Sequence, residues 1–218
     1  MGNLSFKYQF FHRKAFLYAG LFAKDKTTYA QNKEDVLLDI FTGFKPKGTY
    51  IDIGANDPNV ISLTKKFYER GWRGINVEPS VKMYELLLRY RPEDKNLNCA
   101  VGTGTEVTFY EAGNRAVGST CSERVVRERN YDTSKISIQK LITVPLRKIF
   151  EDNHLHMVDF INMDVEGFER EVISSNDWNR YKAQVLCIEG SGYGDYLEPY
   201  GYKKILFDGN NTFYRLRG

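Results

Sequence analysis

The run Thr49-Tyr50-Ile51-Asp52-Ile53-Gly54 is a short apolar strand that ends on a glycine, and residues 61–70 behind it form a helix candidate closed by Gly71. Arg73-Gly74-Ile75-Asn76-Val77-Glu78 reads as a second strand, and Pro79-Ser80 then opens a helix that stops at Arg91-Pro92. Strand, helix and strand in this order make a βαβ unit, whose two strands run parallel because only a long crossover joins them. Further strands at 98–101, 107–110, 141–144, 158–163 and 185–188, with helices near 146–152 and 168–174, continue the alternation. Such alternation predicts an α/β fold, Rossmann-like, with a mostly parallel sheet covered by helices on both faces. Residues 202–207 and 212–216, joined by Asp208-Gly209-Asn210-Asn211, predict a C-terminal antiparallel hairpin that closes the sheet. Residues 112–140 lack periodicity, hold Arg115, Arg124, Arg127 and Arg129 beside acidic neighbours, and read as a long loop over the site.

The ends and the charge balance narrow the setting. The 218 residues suffice for one domain, here residues 29–218, preceded by an extension over residues 1–28. In that extension Leu4, Tyr8, Phe11, Ala15, Tyr18 and Phe22 recur at helical spacing, which predicts an amphipathic helix over 4–23. It packs on the core or on a second subunit, making a homo-oligomer one outcome, or it touches a membrane surface peripherally. The apolar run 16–23 is too short to span a bilayer, and it lacks the small-residue cleavage site of a signal peptide. A net charge of +3 is too small for a dedicated nucleic-acid binder, so none is expected as a partner. Three cysteines, Cys99, Cys121 and Cys187, with no CxxC pair, argue against a disulfide framework and for a reducing, cytoplasmic compartment.

Ligands of a doubly wound sheet lie beyond the carboxyl ends of its strands, where Asp52, Gly54, Glu78, Asp164 and Glu189 all fall. Gly54 permits a tight turn and a close approach to a ligand. Glu78 ends the second strand, where a carboxylate accepts hydrogen bonds from two ribose hydroxyls. The turn Gly54-Ala55-Asn56-Asp57-Pro58 is not GxGxxG, and Asp57 sets negative charge where a pyrophosphate would have to be received. This disfavours NAD and suits a cationic nucleoside; Asp52 in the same turn would help hold an amino group or sulfonium, the features of S-adenosylmethionine. The competing reading makes Asp52 a helix cap and Glu78 the partner of a surface base.

Several separated blocks then match in order: Tyr29-Ala-Gln31-Asn-Lys-Glu34-Asp35, Tyr50-Ile-Asp52-Ile-Gly54-Ala-Asn56-Asp57, Gly71-Trp72-Arg-Gly74-Ile-Asn-Val-Glu78-Pro79, Met163-Asp164-Val-Glu166-Gly167-Phe-Glu169 and Gly209-Asn-Asn211-Thr-Phe-Tyr214. In these the chain resembles the FkbM-type methyltransferases. The resemblance implies a class I, Rossmann-like enzyme that uses S-adenosylmethionine to methylate a hydroxyl, often on a sugar or polyketide. Pro58 stands where the family usually has glycine. The resemblance makes Gln31 a ligand to the methionine end of the cofactor. With Pro79, Ala100 and Asp164, the expected cofactor contacts are then Gln31, Asp52, Gly54, Asn56, Glu78, Pro79, Ala100 and Asp164.

Methyl transfer is an in-line displacement, so the protein positions the acceptor and takes up its proton. Asp164 at a strand end, Glu166 two residues later and Glu189 on the neighbouring strand are the candidate catalytic residues. Their alternative use is to hold a divalent cation, although no metal is expected; for Glu166 a helix N-terminal role competes, with Glu169 an exposed first-turn residue. His154 and His156 precede the Asp164 strand, at the wrong end of the sheet, and His12 in the extension is a candidate base only if it swings over the site. Cys187 and Cys99 read as buried strand fillers, and Cys121 lacks an activating histidine. Trp72 and Tyr84 read as core, while Asn211 and Tyr214 either border the acceptor pocket or form the turn. The expected activity is O-methylation of a small molecule, a saccharide or glycoconjugate above all. The alternatives are a noncatalytic nucleoside-binding assembly or membrane-associated module, and then a dehydrogenase. Arg124 and Arg127 hint at an anionic acceptor, against which stand Glu123 and Glu128 beside them.

Overall fold

The computed structural model describes residues 17, 20–23, 25, 27–113, 118–132, 134 and 136–217. The amphipathic helix expected over 4–23 falls almost wholly outside these residues, and His12 and Arg115 fall outside them too. After helix α1 (Glu34–Phe41) come β1 (Thr49–Ile53), α2 (Lys65–Glu69), β2 (Arg73–Val77), α3 (Val81–Tyr90) and β3 (Lys95–Leu97). The chain continues through β4 (Glu106–Ala112), α4 (Glu123–Glu128), β5 (Ile136–Ile142), α5 (Leu146–Asp152), β6 (Met157–Met163) and α6 (Glu169–Ser174). It ends with β7 (Lys182–Glu189), α7 (Gly194–Leu197), β8 (Tyr202–Phe207) and β9 (Asn211–Leu216).

Seven strands form one sheet in the order β3-β2-β1-β6-β7-β9-β8. The first five are parallel to their neighbours, and β9 runs antiparallel to both β7 and β8. This is a Rossmann-like, mostly parallel sheet, with the expected hairpin at its C-terminal edge. Because side chains alternate across a strand, each central strand feeds two cores. Ile51, Ile53, Ile161, Met163, Leu186 and Ile188 pack with Phe150 and Trp178 on one face. Tyr50, Phe160, Val185 and Cys187 pack with Leu37, Leu38, Phe67 and Trp72 on the other. Strands buried on both faces read as continuous apolar runs, which is why these were the legible ones.

Three boundaries differ from the sequence expectation. The third strand is Lys95–Leu97 and not 98–101, because Asn98 turns away to bond the carbonyls of Glu78 and Pro79, leaving Val101 only an isolated bridge to Val144. The helix expected at 61–70 is confined to Lys65–Glu69, with Ile61 at φ +54°. The stretch 112–140 is no plain loop: it contains α4 and nearly all of β5, and β4 and β5 pair as a separate antiparallel ribbon from Glu106↔Ile142 to Ala112↔Ile136. That ribbon alternates between partly buried and exposed positions without a clean apolar face, so no period stood out in its sequence.

Candidate active site

Strand order reverses between β1 and β6, and a cleft opens beyond the carboxyl ends of β1, β2 and β6. Gln31, Asp52, Gly54, Asn56, Glu78, Pro79, Ala100 and Asp164 all line it, so the structure brings together residues far apart in sequence. Glu166 stands on the same wall. Glu189 does not; it lines an adjoining groove beneath α4, which shares Glu166 and Asn210 with the cleft.

Gly54 is held for a reason other than ligand approach. At φ +81°, a Cβ there would sit 1.9 Å from the Asp164 carbonyl oxygen, so the β1 turn and the β6 turn cross in contact. The crossing is reinforced where Asp164 N donates to the Ile53 carbonyl at 3.0 Å. Asp52 is buried below this crossing with both oxygens engaged, one by Thr64 Oγ1 at 2.8 Å and one by Asn162 Nδ2 at 2.9 Å. Burial raises its pKa, and these two bonds oppose the rise.

Glu78 is 5% exposed, and its oxygens accept the backbone N–H groups of Asn56 at 2.9 Å and Ser80 at 2.8 Å. It therefore ties the β1 turn to the start of α3 and still keeps lone pairs for a ligand. Burial pushes its pKa up to about 7, against the pull of those two N–H bonds. Glu34 is built alike: Oε2 accepts Asn32 N at 2.7 Å, Oε1 accepts Asn211 Nδ2 at 2.9 Å, and burial again pushes it to about 7. In all, the cleft presents Glu34, Asp52, Asp57, Glu78, Asp164 and Glu166, and no lysine or arginine among the described residues.

Where the cleft meets the groove, carboxylate oxygens of Asp164, Glu166 and Glu189 lie within 4.8 Å of one another. At that separation the charge on one carboxylate disfavours ionisation of the next. Local desolvation and then the Glu189 charge raise Asp164, a residue with exposed surface, above the ordinary carboxylate range; desolvation, then Glu166 and Glu169, raise Glu189. Glu166 sits at φ +53° and pairs with Arg129 at 2.5 Å. Gly167 beside it, at φ +92°, lies so close beneath α4 that a Cβ would meet Val125 Cγ2 at 2.5 Å.

Several side chains turn out otherwise than the sequence suggests. Glu169 is not an exposed first-turn residue but 4% exposed, with Oε1 taking the N–H groups of Val165 (3.3 Å) and Gly167 (3.0 Å). Its Oε2 lies 3.3 Å from the Tyr193 hydroxyl, which donates to the Glu189 carbonyl at 2.7 Å. Glu169 thus fastens the 164–167 turn, and its place in the block Asp164-Val-Glu166-Gly167-Phe-Glu169 was the available signal. Cys99 lies past β3 and lines the cleft with Cys121; burial pushes their thiols to about 11 and about 12, so neither is a thiolate at neutral pH. Tyr214 lines neither the cleft nor the groove and is core, as is Trp72, whereas Asn211 does line the cleft. Tyr84 is half-buried on α3. Arg124 and Arg127 are spent on Glu128 (2.8 Å) and Glu123 (3.6 Å) of the same helix, which removes the basis for the anionic hint. His154 and His156 lie at the amino end of β6, away from the cleft.

The model of the FkbM methyltransferase domain matches residues 52–206, from the β1 turn to the last hairpin. The chain belongs to the FkbM methyltransferase family. It is accordingly an S-adenosylmethionine-dependent methyltransferase. Among solved structures, this FkbM enzyme is similar to the putative methyltransferase yhhF of Escherichia coli at 10% identity and TM-score 0.47, covering 90% of this chain and 91% of that one. Precorrin-6y C5,15-methyltransferase of Geobacter metallireducens gives 12% identity and TM-score 0.45, over 90% and 94% of the two chains. The Burkholderia thailandensis 1,6-didemethyltoxoflavin-N1-methyltransferase, solved with S-adenosylhomocysteine, gives 10% and 0.43 over 99% and 87%. No curated protein matches the sequence. Among the described residues, no helix is long and apolar enough to cross a membrane.

The residues of the cleft fit the cofactor of this family by their chemistry. A ligand that carries a sulfonium, an ammonium and two ribose hydroxyls meets carboxylates and amide groups, with no basic side chain to oppose it.

Proposed function

We propose that this enzyme transfers a methyl group to a hydroxyl, most plainly that of a saccharide or glycoconjugate. The observation that carries the reading is the meeting of the Asp164, Glu166 and Glu189 carboxylates at the junction of cleft and groove. S-adenosylmethionine supplies, when bound, a methyl group already activated by the sulfonium. Glu78 accepts the ribose hydroxyls, Asn56 and Pro79 border the same end, and Gln31 with Glu34 borders the other. Ala100 leaves room, Gly54 keeps the β1 and β6 turns in contact, and Asp52 fixes the turn from below while adding negative charge. An acceptor hydroxyl is a weak nucleophile until its proton has somewhere to go. Glu189, in its ionised state, accepts that proton and releases it to solvent through the groove. Glu166 is held away from this exchange by Arg129, and Glu169 fixes the turn that carries it. With Glu166 so compensated, Glu189 works as a base in this reading without a divalent cation.

The test is titration calorimetry with S-adenosylmethionine and S-adenosylhomocysteine, with NADH for comparison and Mg²⁺ as a second variable. Micromolar binding of the sulfur nucleosides alone, unmoved by Mg²⁺, is the expected result, followed by methyl transfer to a saccharide hydroxyl. Binding of NADH, or transfer only to nitrogen acceptors, would overturn the reading.

A further inference from the structure

We propose that the groove between α4, the 164–167 turn and the end of β7 is the acceptor site, and that it takes a neutral or amino-bearing polyol and rejects acceptors carrying phosphate or carboxylate. The proposal rests on the hydroxyl-transfer reading above and adds the place and the charge class of the acceptor.

The place follows from continuity. Glu166 and Asn210 belong to both cavities, with Asp164 lining the cleft and Glu189 the groove. The two cavities thus meet at Asp164, Glu166 and Glu189, whose carboxylate oxygens lie within 4.8 Å of one another.

The class follows from the charges. Five glutamates line the groove, at 128, 166, 169, 171 and 189, against three arginines. Arg124 is committed to Glu128 at 2.8 Å and Arg129 to Glu166 at 2.5 Å. Arg170 lies over the Tyr196 ring at 5.8 Å, with Glu171 next to it in sequence. Phosphate and carboxylate recognition needs guanidinium forks free to form paired hydrogen bonds, and two of these three already serve glutamates. The neighbouring cleft adds further acids and no base among the described residues, so the field across both cavities opposes an anion. What the groove offers instead is Ser122, Ser191, Asn210 and Tyr193 among carboxylates, groups that pair with hydroxyls and ammonium alike. Discrimination of this kind works by repelling the wrong ligand as much as by holding the right one.

The experiment uses the full chain and three matched acceptors, methyl glucoside, methyl glucosaminide and methyl glucuronide, with labelled S-adenosylmethionine as donor. Calorimetry first establishes that the donor binds. The expected kcat/KM for the neutral and amino members exceeds that for the glucuronide by about tenfold or more, and the gap shrinks as salt rises. Glu171→Lys, at an exposed position of the groove, should narrow it by about threefold. Equal or better transfer to the glucuronide overturns the proposal, and so does absence of transfer to both other members while the donor is bound. A donor that does not bind would strike the cofactor reading beneath it instead, so the two failures are told apart.

Discussion

The cleft beyond β1 and β2 and the groove beyond β7 meet at one turn, yet their charges are balanced in unlike ways. In the cleft, Glu78, Glu34 and Asp52 are held by backbone amides, asparagine side chains and a threonine hydroxyl, all neutral donors. In the groove, Arg129 and Arg124 answer Glu166 and Glu128 directly. Neutral donors fix a carboxylate in place but leave its charge uncompensated, so the cleft awaits a cation from its ligand. Paired ions compensate each other, so the groove is set before any ligand arrives. In the reading proposed above, one region is organised for a charged cofactor and the other for an acceptor bearing hydroxyls.

The largest effect is expected where both regions depend on one contact. Gly54→Ala drives a methyl group into the Asp164 carbonyl and strains a positive φ, so it should cost more than about 3 kcal/mol in chemical denaturation or prevent folding. A variant of near wild-type stability would mean that the two turns are not locked together. Glu189→Gln should lower kcat by about a hundredfold while S-adenosylhomocysteine affinity by calorimetry stays within about twofold. Glu78→Gln should do the reverse, weakening that affinity about tenfold with a smaller effect on kcat at saturation. If both variants changed affinity and turnover alike, the division between cleft and groove would be broken.

A smaller effect is expected from pH. Glu34 and Glu78 titrate near 7 in the folded protein, above the 4.5 of a free glutamate, because burial penalises their charge. Between those values the unfolded chain has lost protons that the native chain keeps, so their contribution is full below about 4.5 and is lost as pH rises through about 7. The melting temperature of the ligand-free protein should therefore fall from about pH 5 to about pH 7.5, with Glu78→Gln flattening the fall. Arg124→Ala should do least: its partner is on the same exposed helix face, and stability should change by less than about 0.5 kcal/mol.

Much of the cleft was readable in advance because its residues sit where strands stop, and strand ends are marked by the last residue of an apolar run. Asp52, Glu78, Asp164 and Glu189 were placed that way. Glu169 was not, since a carboxylate in the first turn of a helix looks the same in sequence whether it faces water or, as here, folds back on two backbone amides. Glu34 was not singled out either, its place depending on Asn211, 177 residues away. The ribbon and α4 escaped because their partners are each other and a turn, not a core that would impose a period.

The ribbon of β4 and β5 shares no ladder with the main sheet, and it carries α4 onto the site by a few contacts: Thr120 Oγ1 on the Glu166 carbonyl at 2.7 Å, Arg129 on the Glu166 carboxylate, and Val125 over Gly167. Insertions or deletions at its tip leave the seven-stranded frame and its register untouched. If the groove holds the acceptor as proposed, that wall is an exchangeable part, and redrawing this one ribbon would change the acceptor while the cofactor end stays as it is.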